Sequence, residues 1–205
     1  DISSTFNTGS SMAPSTIRSV MHQLDNNHPF LSNANTDIHF LNPHHTIESF
    51  QLQFFEPAQS IISKCNTEIP LTKKEKSLLD KINHYHQKVH QQIQKDSQNQ
   101  LKKSSVLLLG GEHGVGLGYV QALGTIHESF GILHIDAHMD CRSNYFGFNY
   151  SHASVFTHYS QLHCVKSITQ VGIRDYDVSE IKFQHQSATP FHVFYDYSIH
   201  RDLFK

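Results

Sequence analysis

The sequence predicts a layered α/β fold with a mainly parallel sheet, formed as one domain over residues 1–205. Three observations carry this expectation. From Ser104 onward, short apolar runs alternate with amphipathic stretches, and strand–helix–strand order implies parallel pairing with right-handed crossovers. The chain has 205 residues, enough for one α/β domain with a real core and short for two. Two of the apolar runs end in polar clusters, Gly110-Gly111-Glu112-His113-Gly114 and Asp136-Ala137-His138-Met139-Asp140. Open α/β sheets place their ligands at such strand ends.

Taken in order, residues 1–12 are rich in Ser, Thr, Asn and Gly and read as a loop. Pro14 suits a first helical turn, and Ile17, Val20, Met21 and Leu24 recur at helical spacing, so a helix is predicted over 14–24. Within 26–70 the pattern is weaker; Ile38–Leu41 and Leu52–Phe55 are read as short strands between His-, Pro- and Asn-rich turns. Thr72-Lys73-Lys74-Glu75 is a capping box. Behind it Leu78, Leu79, Ile82, Tyr85, Val89 and Ile93 form an apolar stripe, predicting a long surface helix over 73–98. There follow a strand (106–109), a glycine turn, a helix (116–129), a strand (132–135) and a loop (136–150). A helix (152–162), a strand (167–171), a polar helix (178–186) and a strand (192–195) complete the alternation.

Composition narrows the function classes. A formal net charge of −2 gives no electrostatic reason to expect nucleic acid or an anionic membrane as a partner. No apolar run approaches the roughly 18 residues that span a bilayer, and no signal-peptide pattern opens the chain. Three scattered cysteines, Cys65, Cys141 and Cys164, do not make a disulfide framework, so a reducing, cytoplasmic setting is expected. Of eighteen histidines, His44, His45, His84, His86 and His90 stand in polar company and read as exposed. His113, His138 and His152 stand in patterns that call for chemistry.

Residues two apart in an extended chain project to the same side, about 6–7 Å apart. Asp136, His138 and Asp140 can therefore face one point, with Ala137 and Met139 turned away. Two carboxylates and an imidazole suit a divalent cation such as Mn, Fe or Zn. If the strands over 106–109 and 132–135 are parallel neighbours, His113 arrives beside Asp136 as a fourth ligand. Such a cation lowers the pKa of bound water and polarises a nearby trigonal carbon. With Asp136 bridging two cations, a hydroxide between them would be aimed at an amidine- or guanidine-like carbon. His152 closes the same loop and can supply a proton to the departing nitrogen.

The motifs GGEH (110–113), DAHMDCRSNYFGFNYSHASVF (136–156) and Val171-Gly172-Ile173-Arg174 resemble the ureohydrolase (arginase/agmatinase) superfamily, and the agmatinase-like branch most. Ala13-Pro14-Ser15-Thr16-Ile17-Arg18 is similar to an early helix of that family. The resemblance implies a three-layer α/β/α fold and two Mn2+ per subunit. It also implies hydrolysis of a small guanidino substrate such as agmatine to an amine and urea, and homo-oligomers at full length. It assigns His113 and Asp140 to one manganese, His138 to the other, Asp136 to the bridge, and His152 to the catalytic histidine. Gly114 stands where the family usually has Ser. The family's later S-x-D-x-D carboxylates and its first strand have no counterpart here, so the chain resembles a fragment. With four ligands in place of six, the second cation is expected to bind weakly and the chain alone to show little hydrolase activity. The competing reading is a non-catalytic or regulatory member with an incomplete metal site.

Overall fold

The computed structural model describes residues 9–23, 39–42 and 44–203. The expectations for Ile38, for Leu24 and for most of the opening loop lie outside these residues. Ala13–Val20 forms α1, with Pro14 in its first turn, and runs into a single 3-10 turn at Met21–Gln23.

The stretch read as a short strand at Leu52–Phe55 is instead the middle of α2, His45–Asn66. Phe50, Phe54, Ala58, Ile61 and Ile62 are its buried residues, a spacing of three and four that makes one apolar stripe. Pro57 lies inside the helix, and His44 caps it by accepting the Thr46 N–H on its ring. A second long helix, α3 (Lys73–Leu101), opens with the Thr72–Glu75 capping box, both of whose reciprocal bonds form. Its buried residues include Leu79, Ile82 and Val89, and they share a core with the α2 stripe and Phe148. His86 and His90, expected on the surface, are buried in α3 with 7 % and 6 % exposure. They fall on the helix's inner face, against Phe50 and Tyr150.

The expected strand at Val106–Leu109 does not form. Its Val106 carbonyl accepts from the Tyr119 hydroxyl at 2.8 Å, Leu107 is 82 % exposed, and the Gly111 backbone lies hard against Ser10 and Ser11. The segment is thereby held off the edge of the sheet. After a 3-10 turn at His113–Val115 comes α4, Gly116–Leu123, which stops short of the predicted Ser129 as the chain turns through Gly124 to His127. Gly118 brings α4 against α3: a Cβ there would stand 2.4 Å from the His90 carbonyl.

The sheet has three parallel strands in the order β1 (Phe130–Ile135), β2 (Val165–Ile173), β3 (Phe191–Tyr195). In register, Ile132 pairs with Ile168 and Ile168 with Phe191. Between β1 and β2 lie a 3-10 turn at His152–Ser154 and α5 (Val155–Tyr159). Helix α6 (Val178–Gln186) joins β2 to β3, and α7 (Asp196–Leu203) follows β3. The fold is thus α/β with flanking helices. One core joins Leu117 and Val120 of α4, Phe156 and Tyr159 of α5, Ile168 and Ile173 of β2, and Met139 and Cys141 of the loop. On the other side of the sheet Leu133, Ile135 and Phe194 are exposed. Among the described residues no helix is long and apolar enough to cross a membrane.

Candidate metal centre

At the carboxyl end of β1 the chain is pinned by the end of β2. Asp136 N–H donates to Val171 O, and the N–H groups of Arg174 and Asp175 both donate to Ala137 O. β2 can do this because Gly172 takes a left-handed φ of 87°, open to glycine, within reach of the Asp136 carbonyl. Asp140 itself has a φ of 53°, a conformation that Asp tolerates better than most residues. The motif is therefore not one extended run: the turn swings the Asp140 side chain round to meet His113.

Four donor side chains gather here. His113, His134, Asp136 and Asp140 each offer a ligand atom, all within 4.8 Å of one another. His113 Nδ1 lies 2.8 Å from Asp140 Oδ2, and His134 Nε2 lies 3.5 Å from Asp136 Oδ2. His113 is delivered by the 3-10 turn ahead of α4, with no strand pairing to guide it. His138 stands outside this group. Its ring is 59 % exposed, 3.3 Å from Asp136 Oδ1 and 3.6 Å from Asp175 Oδ2. Asp136 consequently has one oxygen toward the buried cluster and the other toward His138, whose N–H also donates to it at 2.9 Å.

His152 approaches from the far end of the loop. Its Nδ1 is 3.5 Å from Glu112 Oε2, a carboxylate oxygen that is buried without a hydrogen bond. Gly114 gives this carboxylate room, since a Cβ there would stand 2.6 Å from Glu112 Oε1. A cavity of about 470 Å³ opens beside His113, His134 and Asp136, with Gly110, Tyr119 and Tyr159 among its other walls.

The electrostatics suit a cation. Burial raises the Asp136 carboxyl, but the His138 N–H and the nearby imidazoles of His134, His113 and His138 outweigh it and leave the pKa below the usual value. Burial, aided by His113, pulls His134 down to about 4, so its ring is neutral at physiological pH. Burial likewise pushes the Cys141 thiol up to about 12; with 1 % exposure it packs in the loop as a small apolar group. Imidazole and carboxylate atoms brought within 4.8 Å of one another are a donor set that fits a divalent metal of the Mn, Fe or Zn kind.

Three supporting residues escape a motif-based reading. His134 extends the alternation of positions 136, 138 and 140 by one step backward, a signal that was available. Gln170, fully buried in β2, donates from Nε2 to Met139 O at 2.8 Å and to His134 Nδ1 at 3.1 Å. Glu180 of α6 accepts the Cys141 N–H and the Asp177 N–H, one on each oxygen, tying the Asp140 turn to the start of a helix. Nothing in the local sequence marks Gln170, and the Asp177–Glu180 capping-box spacing signals the start of α6 but not the bond to Cys141.

The arginase family's sequence profile matches residues 1–204. An N(1)-aminopropylagmatine ureohydrolase from Thermus thermophilus is 33 % identical over 114 residues, 55 % of this chain and 38 % of that protein. An uncharacterized 32.2 kDa protein of Methanothermus fervidus is 38 % identical over 92 residues, 44 % of this chain and 31 % of its own length. The matched stretch thus spans well under half of each relative. A solved arginase from Medicago truncatula shares the fold, with a TM-score of 0.53 at 23 % identity over 60 % of this chain and 40 % of that one. The chain belongs to the arginase family.

Proposed function

We propose that this protein takes part in manganese-dependent hydrolysis of a guanidino compound, agmatine-like in its reacting group, to an amine and urea. The observation that carries this reading is the gathering of His113, Asp136 and Asp140, from separate segments, within 4.8 Å at one end of the sheet. These residues would hold one Mn2+, and Asp136 and His138 would contribute to a second. When bound, manganese supplies an activated water at neutral pH and polarises the guanidinium carbon. The chain's own residues do the rest. The β2 end fixes Asp136 through the Ala137 and Val171 carbonyls, and Glu180 fixes the turn that aims Asp140. Glu112 orients His152 to pass a proton to the departing amine nitrogen.

Free Mn2+ followed by electron paramagnetic resonance during a titration of the chain tests the metal. At least one ion is expected per chain, with His113→Ala abolishing its binding; an unchanged free-Mn2+ signal at millimolar metal would end the reading. Urea release from agmatine and Mn2+ tests the reaction, and slow turnover by this chain is expected. A second reading is a non-catalytic member holding one cation. The placement of His138 outside the four-donor group favours it, and a stoichiometry of one ion rather than two would select it.

A further inference from the structure

The cluster holds an imidazole, His134, whose part is decided by the hydrogen bonds behind it. Gln170 Nε2 meets Met139 O and His134 Nδ1, and Gln184 Nε2 donates to Gln170 Oε1 at 2.6 Å. A backbone carbonyl can only accept, so Met139 fixes which end of the Gln170 amide is the NH2 group. The Gln184 bond at the other end agrees. The second hydrogen on Gln170 Nε2 therefore points at His134 Nδ1, which has to be an acceptor. A neutral imidazole accepts at one nitrogen and carries its proton on the other, whereas an imidazolium accepts at neither. His134 is thus neutral with its proton on Nε2, the nitrogen that lies 3.5 Å from Asp136 Oδ2 and has no hydrogen-bond partner.

Resting on the metal reading above, we infer that Gln170 is a positioning residue: it locks His134 as the Nε2–H tautomer, so that His134 turns an N–H toward the Asp136 carboxylate, 3.5 Å away, and is excluded from the ligands of the cation. A nitrogen that carries a proton has no lone pair for a metal. For His134 to ligate through Nε2, its proton would have to move to Nδ1, against the Gln170 N–H. Relieving that conflict means turning the Gln170 amide over, which breaks its bonds to Met139 and Gln184 together. The ring itself is held between Phe156 and His113, at centroid distances of 4.3 and 4.9 Å, so it cannot swing aside freely. With the His134 N–H facing Asp136 Oδ2, the other Asp136 oxygen faces His138. It steers the carboxylate in the way outer hydrogen bonds to metal ligands usually do, an effect of about 10–100-fold in metal affinity.

The test is a long-range proton–nitrogen correlation spectrum of the whole chain with nitrogen-labelled histidine, recorded without metal and with Zn2+ as a diamagnetic probe. His134→Phe assigns the resonances and keeps a ring beside Phe156. The expected result is a protonated Nε2 and an accepting Nδ1 on His134 in both samples, with His113 shifting on Zn2+ addition. In Gln170→Glu, whose carboxylate accepts where the amide donates, the proton should move to Nδ1 and Zn2+ affinity should fall about 10–100-fold. A proton on Nδ1 in the metal-free protein, loss of the Nε2 proton with Zn2+, or an unchanged tautomer in Gln170→Glu would overturn the inference. If no histidine responds to Zn2+, the metal reading fails, and the metal-free tautomer still decides whether Gln170 holds His134.

Discussion

Acidifying the protein from about pH 7 to about pH 5 should destabilise it through two buried histidines. His86 and His90 sit on the inner face of α3, and neither Nδ1 has a hydrogen-bond partner. Burial first, and then His90 nearby, lowers His86 from 6.5 to about 3; burial first, and then His158, lowers His90 to about 4. Both folded values lie below the unfolded one, so the unfolded chain takes up protons first. Stability is complete above 6.5 and is lost as the pH falls from there toward the folded values. At about pH 5 each ring should cost about 2 kcal/mol, and the pair about 4 kcal/mol. That is a large share of a typical domain's 5–15 kcal/mol. Urea unfolding followed by circular dichroism at a series of pH values measures the slope, and a double variant, His86→Phe with His90→Leu, should flatten it. Equal midpoints at both pH values, or an undiminished slope in the double variant, would refute the reasoning.

Further outcomes follow from packing and ligation. Gly118→Ala forces its new methyl to 2.4 Å from the His90 carbonyl and 2.8 Å from Ile93 Cβ, and overpacking of this kind should cost about 1–3 kcal/mol in urea denaturation. Phe148→Ala empties a fully buried site between the loop and α3 and should cost about 3–5 kcal/mol. Mn2+ at about a hundredfold its dissociation constant should stabilise the chain by about 2.7 kcal/mol; Asp140→Asn should remove that increment in a thermal shift assay.

The alternation of short apolar runs was enough to read the β1–α5–β2–α6–β3 order, and α6 matches its predicted bounds of Val178–Gln186. Periodicity is a local property, and these elements express it locally. Val106–Leu109 has the same apolar character but no ladder, because strand formation depends on partners elsewhere, and here Tyr119, Ser10 and Ser11 hold the segment. In α2, Pro57 and the polar turns before it obscured a stripe that runs from Phe50 to Ile62. The acidic and imidazole positions of the site were legible as a motif, whereas the parting of His138 from Asp140 was not, since it follows from a left-handed residue at 140. Gln170 and Glu180 act from 30 or more residues away in sequence, where no spacing rule reaches.

Glu180 closes two amides with a single carboxylate: one starts α6 and the other follows Asp140. When the first turn of α6 frays, the amide beside the Asp140 turn is released with it, so the two should exchange their hydrogens with solvent at a common rate. An ion clasped by Asp140 would then slow the exchange of Asp177, on a helix it never touches.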